Sequence, residues 1–161
     1  GCLALAVAAR RPAARVLAID YSDDALGLAR ENAQRNGLGG RVEFRRGDLL
    51  EGVAADSLDA VVSNPPYIAT RDLAGLDMSV RDFEPRLALD GGPDGMAVLR
   101  RLVVQAFTVL RDGGRLWLEI GEDQGDAVRA LLAGAGFRDV AIERDMYGHD
   151  RFAEGIKCFP S

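Results

Sequence analysis

Residues 58–67 have the sequence LDAVVSNPPY, and this stretch decides the predicted fold. Its first part, Leu58 to Val62, is apolar apart from Asp59, which is typical of a buried strand. An amide, two prolines and an aromatic ring follow that strand directly. Ligands of open α/β sheets bind at the carboxyl edge of the strands. The stretch therefore predicts a sheet of this class with a binding site where the strand ends.

Asn64, Pro65, Pro66 and Tyr67 suit a planar ligand that carries an –NH2 group. Prolines have a fixed φ and no N–H, so their carbonyls accept hydrogen bonds and their nitrogens donate none. Asn64 adds one acceptor and two donors, and Tyr67 adds a flat face for stacking. The alternative is a proline turn that merely closes a strand. We favour the binding site because an amide and an aromatic ring flank the prolines.

Strands and helices alternate along the rest of the chain, which predicts a doubly wound, mostly parallel α/β sheet covered on both faces. The predicted helices cover residues 2–9, 22–36, 94–110 and 126–135, with Ser22 and Asp94 as caps. The predicted strands cover residues 15–20, 41–46, 58–63, 115–120, 140–143 and 152–157. The last two strands should form an antiparallel pair at one edge. Segment 64–93 has little periodicity, and such long loops are commonly functional.

The chain begins with Gly1 and enters a helix at once. In a doubly wound domain, a central strand and a glycine-rich turn precede the first helix. We therefore expect residues 1–161 to be one domain that lacks its first central strand, with Gly1 as the last glycine of that turn. The expected upstream sequence is a strand that ends in an acidic residue and glycines.

Composition and charge narrow the class of protein. The 161 residues suffice for one domain with a core, and the net charge of −5 counts against a free-standing nucleic-acid binder. Cys2 and Cys158 share no metal-site spacing and are expected to be reduced thiols of a cytoplasmic protein. The apolar stretch 2–9 is too short to span a bilayer. No zinc-ligand spacing, Ser/His/Asp set or phosphate-binding loop is present in the sequence.

Two carboxylates follow predicted strands. Asp20 ends one strand, a position where an acidic residue accepts hydrogen bonds from ribose hydroxyls, although the helix dipole alone could favour it. Asp48 could accept from an adenine amino group or could be a simple turn residue after Gly47. Glu119 lies in an apolar strand and needs a partner, either to shape a pocket or for structure. His149, the only histidine, is expected in a solvated turn and not as a base.

These residues resemble a known family. Asp20, Asp48 and residues 62–68, VSNPPYI, resemble class I S-adenosylmethionine-dependent methyltransferases that modify planar nitrogens. Residues 80–89, VRDFEPRLAL, and residues 92–95, GPDG, are similar to the peptide chain release factor glutamine N(5)-methyltransferases. Residues 118–121, LEIG, and the stretch 144–155 agree with this, over nearly the whole chain. Asn-Pro-Pro-Tyr alone is shared with adenine and guanine amino methyltransferases.

For the methyl donor, the resemblance implies S-adenosylmethionine. It places Gly1 at the end of the methionine-binding turn, Asp20 on the ribose hydroxyls, and Asp48 and Leu49 along the adenine. Asn64 also borders this cofactor site. No metal is implied. Most of the donor-binding turn and a small helical docking domain would lie outside this chain, so the chain alone is expected to bind the cofactor poorly and not to turn over.

For the substrate, the resemblance implies a glutamine in the Gly-Gly-Gln motif of a peptide chain release factor. Asn64 and the Pro65 carbonyl would bind its amide, Pro66 would border it and Tyr67 would pack on its plane. Asn64, Pro65 and Tyr67 are thus the expected catalytic residues of a monomeric enzyme without membrane or direct nucleic-acid contact.

Three other functions stay open. A sister group methylates a ribosomal-protein glutamine and shares much of the pattern, although the tail after Glu119 is closer to the release-factor group. An amino methyltransferase acting on a nucleic-acid base is the second, against which the acidic balance counts. The third is a non-catalytic binding module. The missing first strand and glycine-rich turn favour it, and the intact segment 64–67 disfavours it.

Overall fold

The computed structural model describes residues 1–78 and 85–158. The chain divides into two compact units, Gly1–Gly52 and Val53–Ser161. Each unit has its own sheet, with strand order β1-β2 in the first and β3-β4-β6-β5 in the second.

The first unit is built from two helices and two parallel strands. Its elements are α1 (Cys2–Arg10), β1 (Val16–Asp20), α2 (Asp23–Arg35) and β2 (Val42–Arg46). The register of the strands places Asp20 opposite Arg46, so both strands end at the same edge. Ser22 caps α2 as predicted, because its hydroxyl accepts the Ala25 N–H at 3.2 Å. Buried apolar residues from both helices, from β2 and from the turn between α2 and β2 form the core: Ala8, Ala33, Val42 and Leu38.

The second unit has one parallel and two antiparallel strand pairs. Its elements are β3 (Leu58–Ser63), a 3₁₀ turn (Leu73–Gly75), α3 (Arg86–Leu89), α4 (Ala97–Val109), β4 (Leu110–Glu119), α5 (Gly125–Gly134), β5 (Phe137–Arg144) and β6 (Asp150–Lys157). β3 runs parallel to β4, and β6 pairs antiparallel with both β4 and β5. The predicted antiparallel pair at one edge is therefore confirmed.

The core of the second unit surrounds β4. The side chains that are buried almost completely come from β4, α4 and α5: Leu110, Leu116, Leu118, Leu99, Leu102, Val103, Val128 and Leu132. Burying each of these side chains contributes roughly 1.5–3 kcal/mol. β4 pairs with a strand on each side, and its apolar side chains are covered. The position of its carboxyl end is therefore well fixed.

Two features differ from the sequence prediction. β4 begins at Leu110, five residues before the predicted start at 115, because Leu110 pairs with Leu58 directly after α4. Segment 64–93 is not a bare loop, since it holds the 3₁₀ turn and α3, while residues 79–84 lie outside the described part of the chain.

Asp94 does not cap α4, which is a further correction. The N-cap residue is Met96, whose side chain makes no capping bond. Asp94 Oδ1 accepts the Met96 N–H at 3.1 Å, and the carboxylate also pairs with Arg100 at 2.6 Å. Asp94 thus closes a turn before the helix, and the helix begins at Ala97, two residues later than a cap at Asp94 would require.

Candidate functional site

In the first unit, two carboxylates follow the paired ends of β1 and β2. Asp20 is the last residue of β1, and Asp48 follows β2 by two residues. The Gly47 N–H donates to the Asp20 carbonyl at 3.1 Å and so ties the two strand ends together. Asp20 Oδ1 accepts the Ser22 N–H at 2.9 Å, whereas Oδ2 accepts no hydrogen bond from the residues that the structure describes. The Asp20 carboxylate is therefore oriented by its own turn.

Leu49 and Gly1 have backbone requirements of their own. Leu49 has φ +53°, in the left-handed region that side chains other than glycine rarely adopt and that is common at functional sites. Gly1 is the N-cap residue of α1, and a Cβ there would lie 2.5 Å from the Ala29 Cβ of α2. Only glycine therefore allows the start of α1 to approach α2 this closely.

In the second unit, Asn64 directly follows β3, whose last residue Ser63 lies opposite Leu118 of β4. The Asn64 side chain is exposed, while Pro65 is buried. Neither the Asn64 amide nor the Pro65 carbonyl is bonded to any residue in the described part of the chain. Two acceptors, one from a side chain and one from the backbone, are thus left without a partner among the described residues at the carboxyl end of β3. This strand was predicted to be buried, but Val61 is its only buried residue, so the prediction of a buried strand is wrong.

Tyr67 is held at both of its polar groups. Its carbonyl accepts the Gln124 Nε2–H at 2.9 Å, and its phenol donates to Glu119 Oε1 over a long 3.4 Å. Burial, with the negative charge of Glu119 as the second cause, raises the pKa of Tyr67 above its usual value. The phenol therefore stays neutral well into alkaline conditions. Tyr67 is thus the hydrogen-bond partner that Glu119 needs in an apolar strand.

The chain beyond Tyr67 is pinned to the GPDG segment of residues 92–95. The Gly91 N–H donates to the Ile68 carbonyl at 2.8 Å and the Thr70 N–H to the Gly92 carbonyl at 2.9 Å. The Thr70 hydroxyl donates to Asp90 Oδ1 at 2.6 Å. These hydrogen bonds therefore join the residues that directly follow Asn-Pro-Pro-Tyr to the start of the Gly-Pro-Asp-Gly segment.

Sequence reasoning missed Gln124 and Asp90. Gln124 is buried, 8% exposed, and contacts Tyr67 across 57 residues of chain, while Asp90 contacts Thr70 across 20 residues. Neither position has a local signal, because a polar residue next to a helix or turn is usually solvated. Both contacts become visible only when the sheet brings distant segments together.

Other candidate residues contribute little to the site. His149 Nδ1 lies 2.8 Å from Glu122 Oε2, and its side chain is 54% exposed, as expected for a turn residue. Cys2 and Cys158 are free thiols. Within residues 1–78 and 85–158, no cluster of three or more His, Cys, Asp or Glu side chains could hold a metal ion. Among those same residues, no helix has the length and apolar character needed to cross a membrane.

Comparison with known proteins shows that the chain is similar to methyltransferases. Residues 1–79 match the family model described as "Methyltransferase small domain". The chain is 49% identical over 157 residues to the release factor glutamine methyltransferase of Caulobacter vibrioides, covering 98% of this chain and 54% of that protein. It is 49% identical over 152 residues to the protein of the same name from Moorella thermoacetica, covering 94% and 53%. The chain thus spans about half the length of these curated relatives.

Solved structures support the fold. A methyltransferase from Pyrococcus furiosus aligns with 98% of this chain and 69% of its own, with a TM-score of 0.70 at 20% identity. A ribosomal protein L11 methylase from Lactobacillus delbrueckii aligns with 96% of this chain and 64% of its own, with a TM-score of 0.66 at 23% identity. The predicted Rossmann-like fold of class I methyltransferases is therefore confirmed.

Proposed function

We propose that this chain, which belongs to the release factor glutamine methyltransferase family, is the catalytic domain of an S-adenosylmethionine-dependent enzyme. Its reaction is methyl transfer to the side-chain amide nitrogen of the glutamine in the Gly-Gly-Gln motif of a peptide chain release factor. One observation carries the proposal: at the end of β3, neither the Asn64 amide nor the Pro65 carbonyl is bonded to any residue that the structure describes. A glutamine –NH2 group has two N–H bonds and can use both acceptors.

The proposed task of these two acceptors is to orient the substrate nitrogen. An amide nitrogen is a poor nucleophile because its lone pair is delocalised into the carbonyl. As the nitrogen becomes more tetrahedral and gains positive charge, its N–H groups donate more strongly, so both bonds favour the transition state over the ground state. Positioning of this kind can supply about 7–11 kcal/mol. Pro66 holds the segment rigid and Tyr67 packs on the amide plane.

The first unit supplies residues that fit the cofactor. When bound, S-adenosylmethionine supplies an electrophilic methyl group. The uncommitted Asp20 Oδ2 suits a ribose hydroxyl, and Asp48 and Leu49 are proposed for the adenine. Gly1, where a Cβ would collide with Ala29, is proposed as the end of the turn that holds the methionine part. Asn64 is assigned to the cofactor side as well as to the substrate.

A general base is not part of this proposal. The nitrogen proton becomes acidic only after attack, so water can take it, and the exposed His149 has no role. We further propose that residues 1–161 act as one domain and that the protein is a cytoplasmic monomer. Its substrate is a protein and not a nucleic acid. The near-complete coverage of this chain by single solved methyltransferases supports one domain.

Asn64→Ala in the full-length protein tests the substrate role. Loss of one oriented acceptor is expected to lower kcat by roughly 10²-fold, as for other preorganised transition-state contacts. The affinity for S-adenosylhomocysteine should change by less than about twofold, because the ribose and adenine groups remain. Asn36→Ala is the matched control, since Asn36 is exposed and, among the described residues, its side-chain amide donates only to the Asn32 carbonyl of α2. Unchanged turnover of Asn64→Ala on a release factor would remove Asn64 from the mechanism.

Labelled methyl donor identifies the substrate class. Wild-type full-length protein is expected to label a release factor, and to leave ribosomal protein, ribosomal RNA and DNA unlabelled. Replacing the glutamine of the Gly-Gly-Gln motif in the release factor should abolish labelling. Label on a nucleic acid, or on a ribosomal protein alone, would reject the release factor as substrate.

Asp20→Asn tests the cofactor role. A hydrogen bond to a charged group contributes about 1.5–3 kcal/mol, so affinity for S-adenosylhomocysteine should fall by roughly tenfold to 100-fold in calorimetry. Asp24→Asn is the control, because Asp24 is an exposed residue of α2 whose carboxylate is the same type of group. Equal affinity of the two variants would contradict the assignment of Asp20 to the ribose.

A further inference from the structure

A buried carboxamide lies directly behind the Asn-Pro-Pro-Tyr segment. Gln124 is the N-cap residue of α5 and is 8% exposed. Its Oε1 accepts the Gly121 N–H at 3.0 Å, while its Nε2 donates to the Tyr67 carbonyl at 2.9 Å and, over a longer 3.4 Å, to the Gly95 carbonyl. One side chain therefore joins the exit of β4, the strand-end segment and the GPDG turn.

The packing around these bonds leaves the Tyr67 backbone little freedom. Gly95 has φ +74°, and a Cβ there would overlap the Tyr67 carbonyl oxygen and lie 2.8 Å from Gln124 Nε2. A Cβ on Gly91 would lie 2.8 Å from the Tyr67 Cα. Gly91, Gly95 and Gln124 thus all pack closely against the backbone of Tyr67.

Because two prolines connect Asn64 to Tyr67, fixing the Tyr67 backbone also restricts Asn64. Pro65 and Pro66 have fixed φ angles, so few backbone rotations separate the Tyr67 carbonyl from Asn64. At its other end, Asn64 is attached to β3, which is paired with β4. The direction of the Asn64 side chain and of the Pro65 carbonyl is therefore set by these two anchors.

We propose that Gln124 is a positioning residue for the amide-binding pair formed by Asn64 and the Pro65 carbonyl, an inference that rests on the proposed function. Gln124 touches no reacting group and acts through the Tyr67 carbonyl. Its carboxamide is needed because one end must accept from Gly121 and the other must donate to two carbonyls. A glutamate has the same size but lacks the donor, and when ionised it would face the carbonyl oxygens of Tyr67 and Gly95.

The test compares Gln124→Met and Gln124→Glu with Gln34→Glu, an exposed glutamine of α2, in the full-length protein. Both Gln124 variants are expected to lower kcat on a release factor by about tenfold or more. The KM for S-adenosylmethionine should stay within about twofold, since no cofactor residue is altered. A purely structural role would lower the melting temperature but leave kcat per folded molecule unchanged, and that result would overturn the proposal.

Hydrogen exchange tests the role of Gln124 independently of the proposed function. The Ile68 and Thr70 amides donate to Leu89 and Gly92, next to the Tyr67 anchor, and should exchange faster in Gln124→Met than in the wild type. If the wild type fails to methylate a release factor, the proposed function is wrong, and unchanged exchange at Ile68 and Thr70 then still rejects the anchor. If the wild type is active and both Gln124 variants match it, only the positioning role is rejected.

Discussion

Asp94 is a single residue that fixes the turn between the candidate site and α4. Its carboxylate accepts the Met96 N–H at 3.1 Å and pairs with both terminal nitrogens of Arg100 at 3.1 and 2.6 Å. These bonds favour the charged form, with Arg100 as the largest cause, and lower the pKa of Asp94 to about 2. The carboxylate is exposed, so salt should weaken the pairing.

Acid should therefore release this turn, and Asp94→Asn should remove the response. Because the folded pKa lies below the unfolded value of about 4, the stabilisation is complete above that value and is lost as the pH falls toward about 2. Urea midpoints measured at pH 6 and pH 2.5 should fall further for the wild type than for Asp94→Asn. Asp24→Asn serves as the control, and equal pH dependence in all three proteins would contradict the assignment.

Asn64 and Asp20 could be predicted as site residues because each obeys a local rule. A polar side chain that follows an apolar strand lies at the ligand-binding edge of an open sheet, whatever the rest of the chain does. Gln124 obeys no such rule, since its role depends on Tyr67, 57 residues away. The residues proposed to contact ligand could thus be predicted from the sequence, and the residues proposed to hold them in place could not.

Among the elements, β6 ends in an ion pair that ties the second unit together. Lys157 is the only lysine of the chain, and its side chain is 4% exposed. Its Nζ donates at 2.7 Å both to Asp56 Oδ1 and to the Leu110 carbonyl, where β4 begins. The same Nζ lies 5.1 Å from the centre of the Phe107 ring in α4. A charge so deeply buried is tolerated only because it has these partners.

Lys157→Met should destabilise the protein while keeping the apolar part of the side chain. Losing a charged donor to a buried carbonyl is expected to cost about 1–3 kcal/mol, observed as a lower urea midpoint in the full-length protein. The expected loss of stability is smaller than for a fully buried ion pair, because the Asp56 side chain is 54% exposed. Arg138→Met on the exposed face of β5 is the control. An equal loss in both variants would show that the Lys157 contacts are not specific.

Element boundaries that depend on local contacts could be predicted from the sequence, and those that depend on distant contacts could not. Ser22 capped α2 as its sequence predicts, because the cap and its partner lie three residues apart. The start of β4 at Leu110 could not be predicted, because it depends on pairing with Leu58 in a distant part of the chain. A glycine pair at residues 113–114 signals a break, yet the strand pairing begins before it.

At the scale of the whole molecule, the two units differ in how their strands are supported. In the described part of the chain, β1 pairs with β2 alone, and all five residues of β1 are only half-buried. β4 pairs on both sides, and Leu116 and Leu118 are buried almost completely. Amides open most readily where few apolar contacts cover them, so β1 and β2 should belong to the less stable part of the protein.

Hydrogen exchange measured by mass spectrometry on residues 1–161 tests this difference. Without ligand, peptides that contain Val16–Asp20 and Val42–Arg46 should exchange at least about tenfold faster than peptides from β4 and β6, because amide protection follows local opening. In the full-length protein, S-adenosylhomocysteine should slow exchange in the first two peptides, since a ligand that binds only the closed form stabilises it by mass action. It should leave α5 unchanged. Equal exchange of β1 and β4 would contradict the difference in support, and protection confined to α5 would place the cofactor away from Asp20.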